Sequence, residues 1–399
     1  MAEEINKTAH SGLRFGVILV GNRNAGKSSL LNKIVGQNAA IVSDTKGTTT
    51  DVVIKPYELE GVGAVSFYDT AGIDDEGQLG QLRIEATEKA LRKADAVLLV
   101  IGKDGLTDTI QDYLDKFISQ KINFIPVFNF ADVRELSASE KMLLEKYNGI
   151  AVSAFSGLGV ESLKQKLALT LKPMIKNDKT MIEGMVNAGD IVVLVIPQDI
   201  GAPKGRLIMP QVQAMREIMD VGAIGIMCKE TELGVVLKPI KPDLVICDSQ
   251  VVKKVADVLP NDIRLTTFSI LLSRAKGNFE LQLEGAKTLD TLQDGDEILI
   301  AEGCSHHISC EDIGRVKLPR WIEKYSGKNI KFTFMQGTDF PDNLTHYKLV
   351  LMCGGCVLNK AENQRRLAIC EAQNVPVTNY GLAISKLQGV LARATENNN

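Results

Sequence analysis

Gly21-Asn22-Arg23-Asn24-Ala25-Gly26-Lys27-Ser28 follows the apolar run FGVILV and opens the amphipathic stretch SSLLNKIV. The spacing is G-x4-G-K-[ST], set between a strand and a helix. In such a loop backbone N–H groups converge on phosphate oxygens, and the helix N-terminus adds positive potential. Glycine permits the close approach, Lys27 is expected at the β and γ phosphates, and the Ser28 hydroxyl is expected to ligate magnesium. Asn22, Asn24, Ala25, Gly26 and Ser29 complete the expected lining. A nucleotide-binding α/β domain is the expectation.

From Leu13 to about Leu171 the chain keeps that alternation, through AVSFYD, LRIEATEKALRKA, DAVLLVIG, INFIPVFN, IAVSA and VESLKQKLALTL. The pattern predicts a mostly parallel sheet covered by helices, a Ras-like P-loop fold over residues 1–174. Lys172 to Thr180 is polar with a proline and reads as a linker. Residues 180–266 alternate again, with IVVLVIP, the helical PQVQAMREIMDVG, strands at Ile224 to Cys228 and Leu244 to Cys247, and the helical SQVVKKVADVLP. This stretch carries no acid, base or ligand constellation and reads as an association module. Residues 267–399 begin with a helix-like run, SILLSRAKGNFELQLEGAKTLDTL, followed by strands EILIAEG, IKFTFMQG, YKLVLMCG and VPVTN with helices between them. No fixed-period repeat is visible.

The 399 residues hold 46 Lys and Arg against 49 Asp and Glu, a net charge of -3, which lacks the footprint of a nucleic-acid binder. No apolar run approaches the roughly 20 residues of a membrane span. The start, MAEEINKTAH, has no apolar signal core, so a cytoplasmic protein without a membrane partner is expected. Seven cysteines, with none before Cys228, do not form a disulfide framework and point to metal chemistry where they cluster.

Further motifs follow in the order shown by translation-factor-type GTPases, which this region resembles. Asp69-Thr70-Ala71-Gly72 follows a strand, so that Asp69 would hold magnesium through water and the Gly72 amide would meet the γ-phosphate. Gly47-Thr48-Thr49-Thr50-Asp51 occupies the first switch position, with Thr49 as the magnesium-sensing hydroxyl; catalytic roles fall to Lys27, Thr49 and Gly72. Asn129-Phe130-Ala131-Asp132 places Asp132 to accept from a guanine edge, and Ser153-Ala154 offers a backbone amide to the guanine oxygen. GTP is the expected nucleotide. Phe130 stands where relatives carry lysine, and its ring could stack on the base. Ile73 follows Gly72 in place of the water-orienting glutamine of Ras-like enzymes. Asn24 stands where a cation-dependent subgroup similar to the tRNA-modifying GTPases holds potassium, which implies potassium-stimulated hydrolysis. The alternative role of Asn24 is an Asx turn.

Cys304-Ser305-His306 and Cys353-Gly354-Gly355-Cys356 each end a strand, and carboxyl ends of strands in a parallel sheet are where ligand sites form. A closed Cys3His zinc site and a four-iron four-sulfur cluster with an exchangeable position both suit this donor set. His307, Cys310 and His346 read as non-ligands, and Cys228, Cys247, Cys370 and Trp321 as core or packing.

The GTPase motifs together with Cys304, His306, Cys353 and Cys356 resemble the FeFe-hydrogenase maturation GTPases, across essentially the whole chain. The resemblance implies a 4Fe-4S cluster on those four residues and a scaffold for a di-iron subcluster precursor. It also implies two radical-SAM maturases and apo-hydrogenase as partners, and a homodimer formed through the middle domain. The family's histidine before C-x-x-C is here Met352, leaving His306, Glu302 or an exogenous group as fourth ligand. The rival reading is a tRNA-modification or ribosome-assembly GTPase with structural zinc.

Overall fold

The computed structural model describes residues 14–36, 52–73, 77–176, 180–197, 207–303, 312–337, 339–356 and 358–396. Thr49, Cys304, His306, His307 and Cys310 lie outside the described residues. The chain divides into two compact units, Met1–Asp178 and Lys179–Asn399.

The first unit is built on a six-stranded sheet in the order β2-β3-β1-β4-β5-β6. Its strands are β1 (Phe15–Val20), β2 (Val53–Leu59), β3 (Gly63–Asp69), β4 (Ala96–Ile101), β5 (Phe124–Phe128) and β6 (Ile150–Ala151). All neighbours are parallel except β2, which runs antiparallel to β3 from Val53 opposite Asp69 to Leu59 opposite Gly63. This is the Ras-like arrangement. Strand β4 is buried along its whole length because helices cover both faces of a parallel sheet, which is why AVLLVI reads as an unbroken apolar run. The alternation did not reveal β2: VIKPYEL is an edge strand, exposed along most of its length, with a proline inside it.

The last helix of this unit spans Val160–Lys176 and passes through Pro173, so the expected linker is helical for its first turn. Val160, Leu163, Leu167 and Leu171 form a stripe in the core under β1 and β4, with Met174 packed against it. That burial outweighs the proline, which near the end of a helix disturbs few hydrogen bonds.

The second unit holds two four-stranded parallel sheets, β10-β9-β7-β8 and β12-β11-β13-β14. The strands are β7 (Ile191–Val195), β8 (Ile224–Cys228), β9 (Leu244–Cys247) and β10 (Arg264–Thr267), then β11 (Glu297–Ala301), β12 (Lys331–Met335), β13 (Leu349–Met352) and β14 (Val377–Asn379). Counted from its own first strand, each sheet has the same order, two-one-three-four, and the local details repeat as well. Gly189 and Gly295 both sit at φ 88° in the turn before the first strand. Asp190 and Asp296 each accept the amide three residues upstream, from Asn187 and Gln293, at 2.8 Å. The backbone oxygens of the same two aspartates accept Ile224 N at 2.8 Å and Lys331 N at 2.9 Å. Thr267 and Asn379 cap the helices Phe268–Lys276 and Tyr380–Leu387 that leave the fourth strands.

The long helix expected over 269–292 is two helices, Phe268–Lys276 and Phe279–Ala286, followed by a 3-10 turn. Gly277 breaks it, since a Cβ there would lie 2.7 Å from the Ser273 oxygen, and Asn278 restarts the helix by accepting Leu281 N. Phe268, Leu271, Leu272 and Ala275 pack in the core under β7 and β9. Cys228 and Cys247 are buried as expected, as is Cys370, whose thiol burial pushes up to about 12. Among the described residues no helix is long and apolar enough to cross a membrane.

Candidate functional site

The phosphate loop is fixed from three directions. A Cβ on Gly21 would lie 2.1 Å from the Val100 oxygen and one on Gly26, at φ 86°, would lie 2.2 Å from Asn129 Nδ2, so both positions require glycine. Lys27 opens the helix Lys27–Val35, is buried, and donates to the oxygens of Gly21 at 2.7 Å and Asn22 at 2.9 Å. Its ammonium is thereby held across the mouth of the loop. Asn22 is buried and donates to Thr107 Oγ1 at 2.9 Å, Ala25 is buried, and Ser29 is exposed. Asn24 adopts the left-handed conformation at φ 59°.

Asp69 ends β3 beside this loop and takes a hydrogen bond from Ser28. Burial pushes its carboxyl up, while Ser28, Lys27 and Lys55 pull it down. Its Oδ1 is buried without a hydrogen-bond partner among the described residues. An orphaned carboxylate oxygen beside a serine hydroxyl fits a hydrated magnesium ion. Thr70 donates to Leu19 O at 2.6 Å, Gly72 is buried, and Ile73 N reaches Gly21 O at 3.4 Å, so the Asp-Thr-Ala-Gly turn is tied to the phosphate loop.

Asn129 joins the base-side loops to the phosphate loop. Its Nδ2 donates to Ala25 O at 3.0 Å and its Oδ1 accepts from Ala154 N at 3.0 Å. Phe130, in the left-handed region at φ 66°, sets its ring near Gly26, with Lys103 Nζ 4.9 Å from the ring centroid. Asp132 is exposed at the loop surface, and Ser153 is buried with its hydroxyl accepting Ser156 N at 3.0 Å. The sequence reading missed the brace behind this loop. Arg134 donates to both oxygens of Glu140 at 2.9 and 2.8 Å and to Gly102 O at 3.0 Å. Its signal was the capping box Ser137-x-x-Glu140.

In the second unit Cys353 follows β13 at the carboxyl rim of its sheet, next to the end of β11. Its Sγ accepts Gly303 N at 3.0 Å and Gly355 N at 3.4 Å. Burial pushes the Cys353 thiol up, and the same amides, with Arg366, oppose that shift. Cys356 packs against the Leu271 and Leu272 core, and Gly354 lies against Ser269, so the helix Phe268–Lys276 floors the Cys-Gly-Gly-Cys turn. Glu302 is buried and accepts from Arg315 Nε at 3.1 Å and Gln336 Nε2 at 3.3 Å. Met352 is buried in the core cluster of Leu299 and Leu344, whereas Cys353 packs against the opposite cluster, as alternation along a strand requires. His346 is exposed beside Tyr347, and Trp321 packs on the core, as expected. Among the described residues no group of three or more His, Cys, Asp or Glu could hold a metal; Cys304 and His306 lie outside them. Two cysteines with amides directed at one sulfur fit an iron–sulfur donor set.

Three family models match in tandem. Residues 16–130 match a 50S ribosome-binding GTPase model, 181–277 a hydrogen maturase F dimerization domain and 280–397 a hydrogen maturase F tetramerization domain. Among curated proteins, the tRNA modification GTPase MnmE of Clostridioides difficile is 32% identical over 189 residues, 45% of this chain and 40% of that protein. GTPase Der of Wolinella succinogenes is 37% identical over 180 residues, 41% of this chain and 37% of its own length. The chain thus spans about two fifths of the length of these relatives. Among solved structures, Aquifex aeolicus Era aligns at 17% identity and a TM-score of 0.33, covering 81% of this chain and 92% of Era. The G domain of the T. maritima FeoB iron transporter aligns at 20% and 0.32, covering 39% of this chain and 98% of that one.

Proposed function

The chain belongs to the hydrogen maturase F family, and on that premise we propose that it is a GTP-hydrolysing scaffold for FeFe-hydrogenase maturation. The observation that carries the reading is the succession of a GTPase domain and the two maturase F domains along one chain, with the Cys-Gly-Gly-Cys turn inside the last. In this reading Lys27 neutralises the β and γ phosphates, Ser28 and Asp69 hold magnesium with Thr49, and the Gly72 amide follows the γ-phosphate. Asp132 selects guanine by accepting from its ring N–H and exocyclic amine, while the Ala154 amide, donated to Asn129 Oδ1 in this structure, would have to share that hydrogen with the guanine oxygen.

Cys304, Cys353 and Cys356, with His306, would hold a 4Fe-4S cluster, which supplies an iron with an exchangeable position. The amides of Gly303 and Gly355 stabilise the Cys353 thiolate needed for ligation. The cargo is a di-iron precursor, received with two radical-SAM maturases and passed to apo-hydrogenase; the GTP state modulates these associations. Homodimerisation through the middle domain is supported by its edge strand β8, where Ile224 and Met227 are 54% and 45% exposed. Among the described residues no strand pairs with its outer edge, and an apolar edge of this kind is a surface for pairing.

The test is the iron and acid-labile sulfide content of anaerobically reconstituted protein, with an EPR spectrum after reduction. About four irons per chain with a reduced-cluster signal, lost in Cys353→Ser, is the expected result. Stoichiometric zinc retained through reconstitution, with no such signal, would replace the scaffold reading with a structural site.

A further inference from the structure

Arg366 is wholly buried, on the helix Lys360–Ala372 that follows the Cys-Gly-Gly-Cys turn. Its Nε donates to Glu362 Oε1 at 2.8 Å and its Nη2 to the Gly337 oxygen, while the Phe340 ring centroid lies 5.2 Å from its Cζ. Nη1 is buried and has no hydrogen-bond partner among the described residues. Glu362 is wholly buried too, and it also takes two bonds from Arg365, at 2.7 and 2.9 Å. One carboxylate thus serves two guanidiniums, and the three side chains together carry an excess positive charge. Such a charge is costly in a dry site unless an anion answers it, and the orphaned N–H adds to that cost.

The place of the guanidinium indicates the anion. Gly337 lies just beyond the end of β12 and Cys353 just beyond the end of β13, and β11 pairs in parallel with both strands. Arg366 therefore reaches the carboxyl rim that carries Cys353. Burial pushes that thiol up, and the amides of Gly355 and Gly303, then the Arg366 charge, pull it back. We propose that Arg366 is the buried counter-charge of the cysteine rim, favouring an added electron when the rim holds an iron–sulfur cluster and so raising the reduction potential. The inference rests on the iron–sulfur reading of this rim. Net charge and hydrogen bonding around the sulfurs set such potentials, and a guanidinium keeps its charge where water is excluded. Arg366 ligates nothing and acts through its field.

Redox titration of the anaerobically reconstituted full chain, followed by EPR, reads the effect. Arg366→Met removes the charge at similar volume and is expected to disfavour reduction about ten-fold, a midpoint about 59 mV lower for one electron. Arg366→Lys keeps the charge and is expected to stay close to the native midpoint. Glu362→Gln leaves Arg366 less neutralised and is expected to move the midpoint upward. A merely structural role would shift Arg366→Met and Glu362→Gln in the same direction, so opposite signs separate charge from packing. Where Arg366→Met does not fold, Glu362→Gln decides, and a midpoint that is unchanged or lowered in it overturns the proposal. A native midpoint in Arg366→Met at full iron content overturns the counter-charge while leaving the cluster in place. Native protein that takes up no four-iron cluster would remove the iron–sulfur reading itself, and the counter-charge with it.

Discussion

Asn129 and Ala25 are joined by a 3.0 Å hydrogen bond across 104 residues of chain, from the buried side-chain amide to the phosphate-loop carbonyl. Since the same side chain also accepts Ala154 N, one residue fixes the relation between the phosphate site and the base site. Asn129→Ala leaves a buried carbonyl and an amide without partners, which costs about 1–3 kcal/mol. GDP affinity is expected to fall by ten-fold or more, and the thermal midpoint of the first unit to drop. Calorimetry and titration check both, and an unchanged GDP affinity would show that the loops are set independently.

The brace between Arg134 and Glu140 makes a pH prediction. The Glu140 carboxyl is 2% exposed, and the Arg134 guanidinium beside it holds it below its ordinary value of 4.5. A carboxyl lowered in the folded state contributes stability above its unfolded value, and that contribution is lost as pH falls through the folded one. Glu140→Gln removes the charge and is expected to cost about 2–3 kcal/mol at pH 7. The difference between native and variant stability should shrink below about pH 4. A difference independent of pH between 7 and 3 would mean that the pair contributes nothing through its charge.

The nucleotide site was legible because its chemistry is written in short motifs of fixed spacing, each one turn between a strand and a helix. Gly21, Lys27, Asp69, Asn129 and Ala154 lie around one loop in the structure. The brace of Arg134 was hidden in its distant half: the capping box Ser137-x-x-Glu140 marks the local partner, while nothing local marks the Gly102 oxygen as the other. The repeated topology of the second unit was hidden for a different reason. The offset between matching residues drifts from 105 at Leu244 and Leu349 to 112 at Thr267 and Asn379, so no fixed period survives. What persists is local: the Gly-Asp turns before Ile191 and Glu297, and the phrases GRLIMP and GRVKLP, at 205–210 and 314–319. For the cysteine rim read from both clusters, the structure describes Cys353 with its amide donors, while Cys304 and His306 lie outside the described residues.

Gly285 makes a stability prediction for the second unit. It lies in the helix Phe279–Ala286, where alanine is normally favoured, yet a Cβ there would sit 2.0 Å from the Val377 oxygen of β14. Backbone against backbone cannot yield without moving the helix from the sheet. Gly285→Ala is expected to destabilise by about 1–3 kcal/mol, as overpacking does, despite its better helix propensity. Chemical denaturation followed in the second unit reads the change, while nucleotide affinity in the first should be untouched. A stabilised variant would show that the helix can slide at no cost.

For Asn24 the sequence offers two alternative roles, potassium ligand and turn residue, and one substitution distinguishes them. It occupies the left-handed region at φ 59°, which asparagine tolerates and glycine adopts freely. Asn24→Gly therefore keeps the loop conformation while removing the side chain and with it the carboxamide oxygen. If that oxygen holds potassium beside the phosphates, native hydrolysis will be faster in potassium than in sodium, and Asn24→Gly will lose the difference while keeping the sodium rate. Unassisted turnover is expected on the order of 10⁻⁴ to 10⁻² per second, as in intrinsic switch GTPases. Lys27→Ala should abolish turnover in either salt. Equal native rates in the two salts would remove the cation from the mechanism. Potassium stimulation that survives in Asn24→Gly would leave Asn24 as a turn residue and place the cation's ligands elsewhere in the loop.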